Sequence, residues 1–267
     1  IGRPSFGRGT PTGPSRPRRR RVDILGCPFD PVDMEETEHF IRDAISHGRQ
    51  VHVTVGNVDM VMKVRKDPRF AKAFWDSELT IVDGVPIMWA AALLKRPLKA
   101  RVAGVELVAR CAAISHDMGC GIAVVGGRRE IAEGAAENLR QVFPRAILHV
   151  IPTPFPVRPE DSRAIVKRIR ANDDSIILVA LGAPLQELWV KEYLAATGGN
   201  VGIGVGAAFD IISGSKPRAP VWMRRNGLEW LHRMALEPHR LGRRYLIEDM
   251  PFFGVLLKER VRLALGR

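Results

Sequence analysis

Residues 176–196 read IILVALGAPLQELWVKEYLAA, and this stretch decides the fold. Its first six residues form an unbroken apolar run, short and rich in branched side chains, as in a strand buried on both faces. Gly182-Ala183-Pro184 breaks the run, and residues 185–196 then take up helical periodicity. Working outward, the same strand-turn-helix unit recurs. Strands are expected at 22–25, 51–55, 79–82, 121–125, 146–151 and 201–205. Helices are expected at 34–46, 58–74 (broken or kinked at Pro68), 86–94, 104–116, 129–142 and 160–171. Such alternation predicts an α/β fold: a mostly parallel, Rossmann-like sheet with helices on both faces. Ligands of such sheets bind outside the carboxyl ends of the strands, so polar groups just after a strand are site candidates.

Composition narrows the class. The 267 residues are 46% hydrophobic and 26% charged, enough to bury a core. Three cysteines, Cys27, Cys111 and Cys120, without C-x-x-C spacing, argue against a disulfide scaffold or zinc knuckle and suit a reducing compartment. The longest apolar stretch, residues 85–94, is about half the roughly 20 residues that cross a bilayer. No apolar signal core follows the N-terminal arginines, so the expectation is a cytoplasmic chain.

Charge is unevenly placed. Of the net +12, residues 1–21 carry seven arginines and no acid, and residues 216–267 carry 12 Lys/Arg against 5 Asp/Glu. Three regions follow: a disordered basic leader (1–21), an α/β catalytic domain (22–215) and a basic amphipathic helical appendage (216–267). Basic ends seek phosphate, on nucleic acid or on an anionic membrane. With only two tyrosines, and four of five tryptophans in helical segments, a nucleic-acid-binding protein is the weaker reading.

Five strand-end junctions carry chemistry: Gly56-Asn57, Asp83-Gly84, Gly126-Gly127, residues 182–187 (GAPLQE), and Gly204-Val205-Gly206 followed by Asp210. Small residues there let backbone N–H groups approach a diphosphate. Residues 202–207 (GIGVGA) nominally fit a dinucleotide fingerprint, but they lie in the last strand unit with no acid near position 222, which weakens an NAD-type oxidoreductase. Asp83 is either a turn or cap aspartate or a general base. Asn57 and Gln186 offer amides either for sugar hydroxyls or for their own loops, and Arg101 is a surface residue or a phosphate clamp. The absence of D-x-D, H-x-x-x-H, G-x-S-x-G and P-loop patterns argues against metal-diphosphate, zinc, serine-hydrolase and ATPase chemistry.

Residues 79–86 (LTIVDGVP), 101–108 (RVAGVELV), 181–189 (LGAPLQELW), 205–214 (VGAAFDIISG), 218–223 (RAPVWM) and 227–244 (GLEWLHRMALEPHRLGRR) together resemble the WecG/TagA/CpsF family of bacterial glycosyltransferases, glycosyltransferase family 26. The resemblance implies an inverting, metal-independent enzyme without a cofactor, acting peripherally on the cytoplasmic membrane face in cell-surface polysaccharide synthesis. Its donor would be a UDP-sugar carrying a hexose or N-acetylhexosamine of glucose or N-acetylmannosamine type. Its acceptor would be an undecaprenyl-diphosphate-linked sugar. It implies Asp83 as general base, with Asn57, Gln186 and Arg101 as catalytic partners. Gly126, Gly127, Gly182, Gly204, Gly206 and Asp210 would hold the nucleotide-sugar, and Arg233, Arg240 and Arg243 the acceptor diphosphate and the membrane. Two departures stand out: Thr54 is one place out of the family's T-x-N register, and Glu106 replaces an aspartate.

In the appendage, Arg240 and Arg243/Arg244 are expected on one helical face, with Phe252, Phe253, Leu256 and Leu257 extending an exposed docking surface. Apolar surface there fits either lipid or a second copy of the chain.

Overall fold

The computed structural model describes residues 21–265, apart from the side chains of Arg225 and Arg240. The basic leader, except Arg21, therefore lies outside the described residues. The strand expected at 22–25 forms, but it does not join the main sheet. β1 (Val22–Ile24) pairs antiparallel with β2 (Cys27–Phe29). Leu25 and Gly26, at φ +56° and +88°, make the two-residue turn that suits a twisted hairpin.

The body then alternates: α1 (Met34–Ser46), β3 (Val51–Gly56), α2 (Val58–Val64), α3 (Pro68–Trp75), β4 (Leu79–Val82), α4 (Val85–Leu93), α5 (Gly104–Met118), β5 (Gly121–Gly126), α6 (Arg129–Val142), β6 (Ile147–Ile151), α7 (Pro159–Asn172), β7 (Asp174–Ala180), α8 (Leu185–Thr197), β8 (Val201–Gly204) and α9 (Ala208–Ile212). The helix read at 58–74 is two helices. Pro68 opens the second, and Asp67 caps it by accepting the N–H groups of Arg69 and Phe70.

Strands β3–β8 form one parallel sheet in the order β4-β3-β8-β7-β5-β6. Its two faces are both buried. Along β7, Ile176 and Leu178 enter the core beneath α1, α5, α6 and α9, while Ile177 and Val179 enter the core beneath α7 and α8. Right-handed crossovers send α6 from β5 to one face and α8 from the neighbouring β7 to the other, opening a crevice between their carboxyl ends.

The C-terminal segment comprises α10 (Val221–Arg225), α11 (Glu229–Leu236), α12 (Pro238–Arg243), a π-helical turn (Arg244–Glu248) and α13 (Pro251–Ala264). It straps across the carboxyl edge of the sheet. On the α5/α9 side it is tied by Lys216–Asp210 (3.0 Å) and Arg218–Glu106 (2.7 Å), and on the α2 side by Arg244–Asp59 (3.3 Å). Two expectations change here. Phe252 and Leu256 are not exposed: they pack with Met60, Val61 and Phe70 in a third core under the hairpin and α2–α4, leaving Phe253 and Leu257 outside. Nor do Arg243 and Arg244 share a face. Arg243 ends α12, and the π turn that follows, closed by Asp249 N–H onto Arg244 O (2.8 Å), swings Arg244 inward.

Candidate active site

A cleft of about 1000 Å³ runs along the carboxyl edge of the sheet, and every parallel strand contributes to it. Asn57 follows β3, Asp83 follows β4, Gly126-Gly127 end β5, Thr153 follows β6, Gly182 follows β7, and Gly204 and Gly206 close β8. Asp210, on the first turn of α9, also reaches the wall, its carboxylate paired with Lys216.

At the β3–β4 end the wall is charged. Asp83 Oδ2 accepts the N–H of Gly104, the first residue of α5, at 3.1 Å. Burial pushes its carboxyl above the ordinary aspartate range, while the Arg101 guanidinium and the Gly104 hydrogen bond pull it back. The result is a basic carboxylate held by a helix N-terminus. Arg101 itself stays off the cleft wall. Its Nη1 pairs with Glu229 Oε2 at 3.3 Å, and Glu229 is the member of that pair that reaches the cleft. Arg233 lines the cleft close enough to act electrostatically on Asp83. Asn57 caps α2 through Oδ1, which accepts Met60 N–H at 3.2 Å, so its Nδ2 is the donor left for a ligand.

At the β5–β6–β7 end the wall is main chain. Gly126 sits at φ +89°, and a Cβ there would stand 2.7 Å from Ala180 O, so only glycine lets β5 and β7 end side by side. Its N–H donates to Thr153 Oγ1 at 3.1 Å. The start of α6, with Arg128 and Arg129, opens onto the same space. Phe155, within residues 152–156 (PTPFP), lines the mouth with 78% of its surface exposed.

Gln186 joins the two ends. Its Oε1 accepts the N–H groups of Gly182 (3.2 Å) and Gly206 (3.1 Å), tying the loop after β7 to the loop after β8. Its Nε2 donates to Glu187 Oε1 at 2.7 Å. Glu187 is fully buried, its Oε2 has no hydrogen-bond partner among the described residues, and burial pushes its carboxyl up to about 8. A Cβ on Gly204 would lie 2.5 Å from that Oε1, so the glycine makes room for the Gln186–Glu187 pair. Gly202 likewise faces Val190 of α8. Two glycines of the nominal dinucleotide fingerprint therefore serve strand–helix packing.

The structure gathers Asn57, Asp83, Gly126, Gly127, Gly182, Gln186, Gly204, Gly206, Asp210 and Arg233 around one cleft. It leaves Arg101 behind Asp83, and Arg243 outside with 78% of its side chain exposed. Arg240 lies on α12, and its side chain is outside the described residues. Thr54 is buried beside His52, and Glu106 turns to Arg218 and Arg224. Sequence reasoning missed Thr153, although the rule about polar groups after a strand applied equally to β6, and it missed Phe155, which as an aromatic residue that rule does not reach. It also missed Lys63, which no local pattern marks, and it expected Arg244 on an outer docking face rather than at the cleft. Among the described residues no three His, Cys, Asp or Glu side chains gather as a metal site, and no helix is long and apolar enough to cross a membrane.

The chain is 26% identical over 240 residues to a Staphylococcus aureus (strain NCTC 8325 / PS 47) protein named N-acetylglucosaminyldiphosphoundecaprenol N-acetyl-beta-D-mannosaminyltransferase, covering 89% of this chain and 92% of the relative. The relative of the same name from strain MRSA252 gives the same identity and coverage. The profile described as the glycosyl transferase WecG/TagA/CpsF family matches residues 22–265. The chain is a glycosyltransferase and belongs to the WecG/TagA/CpsF family.

Proposed function

We propose that this enzyme moves a hexose or N-acetylhexosamine from a UDP-sugar to a polyprenyl-diphosphate-linked sugar, with inversion and without a metal. The observation that carries the reading is Asp83: a carboxylate made more basic by burial, at the strand-end edge of a cleft whose far end is built of glycines and a helix start. Asp83 takes the proton of an acceptor hydroxyl. The freed oxygen bonds to the anomeric carbon from the face opposite UDP, and the bond to UDP breaks, its electron pair leaving with the diphosphate.

Several features support the parts. Gly127 and the α6 N-terminus offer N–H groups to the donor diphosphate, the Gly126 N–H being held by Thr153, and Phe155 offers a ring for the base to stack on. Arg233, Lys63, Arg128 and Arg129 offset the charge that develops on leaving UDP, the role a metal has elsewhere. Gln186 positions the loops rather than the sugar. The Staphylococcus relatives are named for a β-mannosaminyl product on N-acetylglucosaminyl-diphosphoundecaprenol, and a β product from an α-linked nucleotide-sugar is an inversion. Exposed Trp222, Leu231, Leu236, Ile247, Phe253 and Leu257, with Arg243 nearby in sequence, suit peripheral contact with an anionic membrane, each basic contact adding about 1 kcal/mol.

The test is a donor panel of UDP-glucose, UDP-galactose, UDP-N-acetylglucosamine and UDP-N-acetylmannosamine against N-acetylglucosaminyl-diphosphoryl polyprenol, with the product's anomeric configuration read by NMR. One donor should be turned over to the inverted product in excess EDTA. Transfer from none of them, or retention of configuration, sinks the reading.

A further inference from the structure

Arg101 and Asp83 are neighbours that do not pair. The N–H of Val102 donates to Val82 O at 2.8 Å, which lays the chain before α5 alongside the end of β4 and brings Arg101 up beside Asp83. Its guanidinium is the strongest charge acting on that carboxylate. Among the described residues, however, the ion pair of Arg101 is with Glu229, 128 residues further along the chain, Nη1 to Oε2 at 3.3 Å. Asp83 accepts from the N–H of Gly104 instead.

Glu229 opens α11, and the turn before it is seated on the body. Gly227, at φ +72°, lies so close to α4 that a Cβ there would stand 2.8 Å from Val85 Cγ1, two residues after Asp83. Glycine satisfies both the φ and the space, so the strap reaches the helix that follows the base and brings in Glu229 two residues later. The two side chains keep only 20% and 22% of their surface exposed, so this pair fixes the guanidinium in a way that a solvated surface pair does not.

A guanidinium free to turn toward an adjacent carboxylate pairs with it, and such a pair lowers an aspartate's basicity by about 10- to 1000-fold. A base so weakened takes a proton poorly. Burial raises the Asp83 carboxyl, Arg101 and the Gly104 N–H lower it, and the charge of Glu229 raises it again. Arg233 is the other charge acting from α11, and it lowers the carboxyl; α4 has no ionisable side chain. On α2 Lys63 is held by Asp59, and on α5 Glu106 is held by Arg218.

We propose that Glu229 is a positioning residue for the base: it draws the Arg101 guanidinium away from Asp83 and leaves the carboxylate free to take a proton. The glycosyl-transfer reading enters only in calling Asp83 the base of that reaction. The test uses the full chain labelled with ¹³C-aspartate and NMR titration, the Asp83 carboxyl signal being identified by its loss in Asp83→Asn. In Glu229→Gln the Asp83 midpoint should fall by about 1 pH unit or more, and in Arg101→Gln it should rise. Adding Glu229→Gln to Arg101→Gln should lower the midpoint by less than Glu229→Gln does alone, because no guanidinium remains to turn. If Glu229→Gln does not fold by thermal unfolding, Glu229→Asp, which draws the carboxylate back from Arg101, should move the midpoint the same way by less.

In transfer assays the acidic limb of kcat/KM for the acceptor should shift in the same order, and its plateau in Glu229→Gln should drop roughly 3- to 10-fold. An Asp83 midpoint that stays put when Glu229 is changed, or falls equally with and without Arg101, overturns the proposal. So does a lowered kcat/KM whose acidic limb has not moved, the mark of a strap that has merely loosened. Failure of the glycosyl-transfer reading looks different: wild type transfers from no UDP-sugar, while the Asp83 midpoint still moves with Glu229 and Arg101.

Discussion

At the β5–β6–β7 end of the cleft the wall is main chain, one exposed ring and the arginines that open α6, all close along the chain, whereas at the β3–β4 end it is charged side chains drawn from distant parts of the chain. The first region needs only glycines placed directly after strands, since backbone N–H groups are available wherever no Cβ stands in the way. The second needs a carboxylate of raised basicity and several cations within a few ångströms of one another. Such a cluster holds together only if each charge is paired or solvated, which is why Asp83, Arg101, Glu229 and Arg233 on one side, and Lys63, Asp59, Arg244 and Asp249 on the other, form connected networks. A nucleotide diphosphate can be cradled by local geometry, while the charges for transfer have to be assembled from afar.

Changes at the two ends should therefore have separable effects. The largest is expected at Asp83. Asp83→Asn keeps the shape and removes the base, so turnover should fall by roughly 10²–10⁴-fold while UDP affinity in calorimetry stays close to wild type. Because burial raises the pKa of this carboxyl and the base must be ionised, wild-type kcat should climb with pH through that raised pKa, and a rate already flat from the ordinary aspartate range upward would contradict the assignment. At the other end, Gly126→Val forces a side chain onto Ala180 at φ +89°, a strain of about 1–3 kcal/mol, so UDP affinity should drop about 10- to 100-fold with Asp83 untouched. Equal UDP affinity would mean that the crevice is not where the nucleotide sits.

A smaller effect is expected at the ring. Phe155→Ala should weaken UDP about 10-fold and leave pyrophosphate unaffected, because stacking acts on the base alone. If pyrophosphate binding falls equally, the comparison between the two ends loses its basis. The smallest effect is a slope. Glu187 has a folded-state pKa of about 8 against an ordinary 4.5, so its contribution to stability is full below about 4.5 and is lost as pH rises toward 8. Glu187→Gln cannot ionise, and its melting temperature should fall less than that of wild type across this window. Parallel melting curves would show that Glu187 is solvated after all.

Much of the first region was legible. Strand 176–181 and helix 185–196 are off by one or two residues at their ends, and the junction rule found Gly126-Gly127, Gly182 and Gly206 because a strand end, a glycine and a helix start are neighbours in the chain. Asp83 was legible as a position and ambiguous as a role; the N–H of Gly104, 21 residues away, supplies the helix end that holds it. Gln186 was legible as a motif but its duty was not, since the two amides it accepts, of Gly182 and Gly206, belong to loops 24 residues apart. Arg243 and Arg244 are adjacent in sequence, and helical spacing put them together; the π turn separated them.

The amino-acid sequence by itself determined the α/β alternation, the parallel sheet, the glycine-built crevice and the family, because each rests on periodicity or on residues close along the chain. Tertiary structure alone decided which arginine enters the cleft, that Phe252 and Leu256 belong to the core, and that the hairpin at 22–29 stands apart from the sheet. The reason is physical. A charge's role depends on its burial and on its partners, and here Arg244 finds Asp59 across 185 residues of chain through a strap whose path is set by where Phe252 can be buried.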